Sequence, residues 1–243
     1  MGHSGSHFSG SRFTKTVPQS FQPVGRFIPV LCANPIESDI INTTLELGRK
    51  AASYGETVLI LDCMKGQALN KAGVIFNKTI ADVLSGEAQL RDALYVTANE
   101  HYNAAALGDI SLDEALGSLA ALSLDFDWVF IVAEPGCTAA HIRLAAAGDS
   151  CILGYDTQGD AFMRAYWMIE AIRRRAPKFD PYLLSCGDLL ESVETALMLS
   201  DTVKEHLGAP PPYAGHITDQ GLDSRLLESL RDSIDKDITN AAI

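Results

Sequence analysis

Short apolar runs alternate with amphipathic stretches along most of this chain. Residues 27–33 form an apolar run of strand length, and 127–133 (Asp-Trp-Val-Phe-Ile-Val-Ala) a near-continuous one, as expected of a strand buried on both faces of a parallel sheet. Similar runs at 57–62, 95–98, 103–107, 150–154, 182–185 and 213–217 predict further strands. Between them the period lengthens to that of a helix. Residues 38–54 place Ile41, Leu45, Gly48 and Ala52 on one face, and 161–175 present Phe162, Tyr166, Trp167, Ile169 and Ile172. Further helices are predicted at 80–87, closed by Gly86, and at 90–94, 111–122, 137–147 and 192–207, with 63–79 read as loop. Strands alternating with helices predict an α/β domain: three layers, with a mostly parallel sheet covered by helices on both faces.

The turn between the first strand and first helix is where such a domain would cradle a phosphate. Here it reads Asn34, Pro35, Ile36, Glu37, Ser38, Asp39, Ile40, Ile41. A phosphate loop uses glycines to turn successive N–H groups inward and a lysine to reach the outer oxygens. This turn has neither. Pro35 removes a donor, and β-branched Ile36 disfavours positive φ. Glu37 and Asp39 set carboxylates in the positive end of the helix dipole, where an anion would otherwise bind. The turn therefore reads as a helix cap, with Ser38 or Asp39 as N-cap.

Length and composition narrow the picture. The 243 residues suit one α/β domain with appendages, and 47% hydrophobic content supports a real core. No apolar run approaches the ~20 residues of a membrane span. Cys32, Cys63, Cys137, Cys151 and Cys186 form no CxxC pair, so free thiols are expected, and the six histidines show no metal-ligand spacing. No metal or cofactor is expected on this reading. The net charge of −12 argues against nucleic-acid binding.

The charge is uneven. Residues 1–26 hold Arg12, Lys15 and Arg26 and no acid, giving +3, so the remainder carries −15 by difference. This Gly/Ser-rich segment, with Phe8, Phe13 and Phe21 spaced through it, is expected to be a disordered arm, passive or partner-binding through its aromatics. Arg173, Arg174 and Arg175 close one helix, either as a solvated C-terminal turn or as a patch for an acidic partner. The segment 222–238 places Leu222, Leu226, Leu230, Ile234 and Ile238 at helical spacing; its five acids oppose anionic lipid, so it is expected to pack on the domain or on a partner helix. Three units result: an arm at 1–26, the α/β domain at 27–221, and an amphipathic helix with tail at 222–243. Asp62, Glu134 and Asp188, near strand ends, are read as capping residues.

With this order in hand, the chain resembles the MinD/ParA family of deviant P-loop ATPases over about 27–230. The likeness rests on Gly55–Asp62, on Thr79–Glu87 (Thr-Ile-Ala-Asp-Val-Leu-Ser-Gly-Glu), on 103–109, on Asp127–Gly136, and on Leu207-Gly208 followed by 213–217. It implies a P-loop NTPase-like fold. Carried over position by position, the family's phosphate lysine falls on Ile40, the Mg-binding hydroxyl on Ile41, and the signature lysine on Pro35. The aspartate after the second strand falls on Met64, the Mg-site aspartate on Val132, and the base-contacting Asn near Ser185 or Cys186. No Gly-Lys-Ser/Thr occurs anywhere in the sequence.

The resemblance and these losses together imply a pseudo-ATPase adaptor or regulator. It would act in the cytoplasm through a protein partner, at a bacterial envelope, pilus, flagellar or division apparatus, with recruitment to the inner membrane or cell pole and a homodimer as further expectations. Two alternatives stay open: a divergent switch that still binds ATP and Mg, or a non-kinase relative of the capsule and exopolysaccharide tyrosine autokinases.

Overall fold

The computed structural model describes residues 25–34, 37–97, 102–157, 159–177, 179–218, 221–223 and 225–232. Among the described residues nine strands form one sheet: β1 Arg26–Cys32, β2 Val58–Asp62, β3 Tyr95–Val96, β4 Asn103–Ala106, β5 Trp128–Val132, β6 Ile152–Asp156, β7 Tyr182–Cys186, β8 Tyr213–Thr218 and β9 Gly221–Asp223. Their order across the sheet is β3-β4-β2-β5-β1-β6-β7-β8-β9. Only the two edge strands are antiparallel, β3 to β4 and β9 to β8. The seven between them are parallel, joined by helical crossovers.

Alternation along the strands sorts the core into two layers. One face carries Leu31, Leu61, Ile131, Leu153 and Leu183. Onto it pack α4 (Leu112–Leu119), α5 (Ala139–Ala147), α6 (Ala161–Arg175) and α7 (Leu189–Leu207). The other face carries Val30, Ile60, Phe130, Ile152 and Leu184, covered by α1 (Glu37–Ser53) and a short helix α8 at 226–232. This is the three-layer α/β architecture expected. Gly48 lets α1 approach the sheet closely, since a Cβ there would stand 2.7 Å from Ile60 Cδ1.

Several expectations need correction. The stretch 63–79 contains a helix, α2 (Gln67–Lys71), and α3 is confined to Ile80–Leu84. Residues 90–94 hold only a 3-10 turn, Leu90–Asp92, and α4 gives way to another at Ala120–Leu124. Ser38 and Asp39 lie inside the first turn of α1, so neither is its N-cap. Arg26 belongs to β1 rather than to an arm: it stacks over the Trp128 ring at 4.8 Å and pairs with Glu56. Leu222 lies on β9, opposite Ile217, not on a helix. Its four-residue spacing from Leu226 is accidental, because Gly221 and Asp223 flank it in an edge strand.

Leu226 and Leu230, read as candidates for a partner surface, are 1% and 0% exposed within the α1-side core. An intramolecular partner, the domain itself, has taken them. Arg231 fixes the same helix, pairing with Glu56 at 2.6 Å and lying over the Tyr54 ring. Ile234 and Ile238, like Phe8, Phe13 and Phe21, lie outside the described residues.

Candidate functional site

The carboxyl ends of the parallel strands are where open α/β sheets bind ligands, beside the strand at which the order reverses. In this sheet that strand is β1, flanked by β5 and β6. Four residues, 33–36, connect β1 to α1, and of these Pro35 and Ile36 lie outside the described residues. Asn34 is buried and its Oδ1 accepts from the Asp156 N–H at 3.1 Å, tying the turn to the end of β6. The Cys32 thiol donates to the Asn34 carbonyl.

Ile40 is fully buried and Ile41 is 4% exposed. Both belong to the apolar cluster that also holds Met64, Val132 and Cys186. These are the positions onto which the resemblance carries a phosphate lysine, a magnesium hydroxyl, two carboxylates and one of the two candidates for a base-contacting amide. The fold brings all five together, and what it assembles is hydrophobic core. Ser185, the other candidate, is buried on the opposite face with its hydroxyl 2.9 Å from that of Tyr213. The charge around the turn also has the wrong sign for a phosphate. Asp39 and Asp156 face this region, and 32–41, 132–134 and 154–157 contain no Lys or Arg. Burial, then Asp39, Cys32 and Asp156, push the Cys186 thiol well above its ordinary range, so it stays protonated.

Asp62, the one carboxylate retained from the resemblance, is turned inward. It is fully buried and accepts from the N–H groups of Met64 (2.6 Å), Ala68 (2.7 Å) and Leu69 (3.0 Å). It caps α2 and offers nothing to a ligand. The turn that returns the chain to it needs left-handed backbone at Lys65 (φ 56°) and Gly66 (φ 86°). Asp188 is likewise a cap, accepting from the Leu190 and Glu191 N–H groups at the start of α7. Glu134 is not one: its carboxylate faces the Lys65 ammonium at 3.5 Å, and its backbone carbonyl is what holds a neighbour.

That neighbour is His141, beside a cleft of about 580 Å³ one strand away from the β1 turn. The cleft opens between the ends of β2, β4 and β5 and the starts of α4 and α5, with Leu107 and Ala133 among its apolar lining and Lys65, Asp109 and Glu134 among its polar residues. Sequence reading had marked only Glu134 of these; Lys65-Gly66 and Gly108-Asp109, both turn signals at strand ends, were the available clue. His141 Nδ1 accepts from the Thr138 N–H at 3.3 Å and stands 2.7 Å from its hydroxyl. This leaves Nε2–H to donate to the Glu134 carbonyl at 2.7 Å. Both ring nitrogens are thus engaged, Nδ1 in capping α5 and Nε2 in tying the helix to the Glu134 backbone. Burial, then Asp62 and Glu134, push the Cys63 thiol well above its ordinary range, so it stays protonated. Among the described residues no group of three His, Cys, Asp or Glu side chains is placed to hold a metal.

Of the remaining candidates, Arg173 is engaged within the domain, bonding Asp180 at 2.6 Å and the carbonyls of Leu207 and Ala209. Arg174 pairs with Glu170 at 2.6 Å, and Arg175 is exposed. No helix among the described residues is long and apolar enough to cross a membrane.

No family model matches the sequence, and no curated protein matches it either. Solved structures do match. The cell-division ATPase MinD of Pyrococcus furiosus aligns with a TM-score of 0.64 at 16% identity, over 87% of this chain and 99% of that one. Cobyrinic acid a,c-diamide synthase from Mycobacterium smegmatis, solved with a bound ATP analogue and magnesium, gives 0.64 at 18% identity, over 87% and 93%. MinD in the MinC:MinD complex of Aquifex aeolicus gives 0.63 at 16% identity, over 86% of each chain. At these identities the likeness establishes the fold, that of the MinD/ParA-like P-loop NTPases.

Proposed function

We propose that this protein is a MinD/ParA-like pseudo-ATPase that works as a protein-binding adaptor or regulator. One observation carries the reading: Ile40, Ile41, Met64, Val132 and Cys186, the positions onto which the resemblance carries phosphate, magnesium and base ligands, all belong to the buried apolar core on the α1 face of the sheet. Among the described residues, those in 32–41, 132–134 and 154–157 offer a triphosphate no Lys or Arg, and burying unpaired charge in such a site costs several kcal/mol. The groups that stabilise a transferring phosphoryl are absent with it.

A partner role has indirect support. MinD of Aquifex aeolicus is found in complex with MinC, and a fold stripped of its nucleotide chemistry retains its surfaces. We place the partner in an envelope, pilus, flagellar or division apparatus of a bacterial cell, with recruitment to membrane or pole through that partner. Calorimetric titration with ATP, ADP and magnesium tests the reading. The expected result is no saturable heat; a Kd tighter than about 100 μM, worth about −5.5 kcal/mol, overturns it and favours a divergent ATP-binding switch.

A further inference from the structure

Helix α7 turns Ser192, Ala196, Leu199 and Val203 toward the sheet. At 100° per residue, Leu189, Val193, Leu197 and Leu190 fall within an arc of about 100° on one flank. All four are exposed, at 52%, 39%, 62% and 67%. The adjoining arc carries Glu191, Glu194, Asp201 and Glu205, also exposed. Single exposed apolar residues are ordinary, but four over three successive turns form a stripe, and such a stripe on an exposed surface marks a docking site.

The topology leaves this flank at the end of its layer. Right-handed crossovers set α5, α6 and α7 successively along the sheet toward β8, and α7 packs on β7 and β8. Among the described residues the one helix that follows, α8, lies on the opposite face. No described element covers the stripe.

We propose that the N-terminal arm of this chain, residues 1–24, docks on this flank, with Phe8 and Phe13 on the leucines and Arg12 and Lys15 against the acidic arc. Charge supports the pairing: the arm has no acid, and the rest of the chain is strongly acidic. Reach supports it too. β1 begins at the foot of the sheet three strands from β8, so the path is about 14 Å across, 17 Å up and 10 Å out to the helix layer, some 25 Å in all. Four residues from Gly25 to Phe21 span at most about 14 Å, whereas twelve to Phe13 span about 40 Å. Phe13 and Phe8 reach the stripe and Phe21 does not. Tethering also raises the arm's effective concentration into the millimolar range, so modest contacts are enough. The proposal is independent of the nucleotide question, and neither stands or falls with the other.

Photo-crosslinking in the full chain tests it. Phe13 is replaced by p-benzoylphenylalanine, the protein is irradiated, and the products are mapped by mass spectrometry. The expected result is a crosslink to 189–201 at monomer mass. It should fall about tenfold per aspartate in the Leu190→Asp/Leu197→Asp variant, whose substitutions are at exposed positions. The same crosslinker at Phe21 should not reach α7. Absence of the crosslink, attachment elsewhere on the chain, or capture only at dimer mass, which would assign the stripe to a second copy, each overturns the proposal.

Discussion

Replacing Ile40 with lysine restores the charge that the resemblance assigns to this position, and the structure predicts that the protein will not tolerate it. Ile40 is fully buried in the apolar cluster that also holds Val132, Met64 and Cys186. Losing its apolar burial costs about 1.5–3 kcal/mol. The ammonium must then be either neutralised or exposed. A buried lysine whose pKa drops by about 3 units adds about 4 kcal/mol at neutral pH. The total, about 6 kcal/mol, rivals the 5–15 kcal/mol that holds a typical domain together. Urea denaturation followed by circular dichroism should show the midpoint of Ile40→Lys collapsing toward zero denaturant, with Ile40→Ala, at about 2–5 kcal/mol, lying between it and the parent. The charge part of the lysine penalty should be full below about pH 7 and shrink as pH rises from about 7.4 towards about 10.4, between the folded and unfolded pKa values. An Ile40→Lys protein within 0.5 kcal/mol of the parent would refute the reasoning, because the side chain would then have reached water through a site that is open and not filled.

Four further outcomes follow from the same packing. Asp62→Ala strands three buried N–H donors, Met64 in the turn and Ala68 and Leu69 at the start of α2, and should cost about 2–4 kcal/mol by thermal melt; a loss below 0.5 kcal/mol contradicts the capping role. Gly108→Ala places a Cβ 2.3 Å from Thr79 Oγ1 at φ 86°, whereas Gly86→Ala meets open space at φ 83°, so the first should lower the urea midpoint clearly more than the second. Deleting 222–243 removes Leu226, Leu227 and Leu230 from the core, at about 5–8 kcal/mol together, and should give insoluble protein. Hydrogen bonds and ion pairs hold Asp82, Asp113, Glu114 and Glu228 below their ordinary carboxylate range, with Thr79, Arg143, Ser111 and Lys50 as the first causes. Folded values below unfolded ones give stability that is present above about pH 4 and lost as pH falls further, and Glu228→Gln should lessen that acid sensitivity in urea titrations at stepped pH. Asp149, raised by burial, works in the opposite sense and should blunt the effect slightly.

Most of the architecture was legible because it lies in local pattern. β5, Trp128–Val132, lies within the apolar run 127–133 that marks it, and α6 occupies the very span its periodicity marks. The failures share a physical origin in tertiary context. α2 has no amphipathic repeat of its own and exists because Asp62, buried at the end of β2, supplies its cap. β9 is three residues long and gains its pairing only from β8. Leu226 and Leu230 showed an apolar face in sequence, but periodicity does not say whether a face meets the domain or a partner. For the site, position-by-position counting found the replaced residues, and what it lacked was their common destination. That Ile40, Ile41, Met64, Val132 and Cys186 meet in one cluster is a fact of three dimensions. The cleft beside β4 was missed because its residues come from five separate elements, with no spacing to betray them.

The filled phosphate position is the centre of this account, and the isoleucine methyl groups report on it directly. In protein labelled at the isoleucine δ1 methyls, carbon–proton spectra titrated with Mg-ATP into the millimolar range should leave the Ile40 and Ile41 resonances unmoved. Saturable shifts of those two methyls would place a nucleotide at the start of α1 and contradict the account.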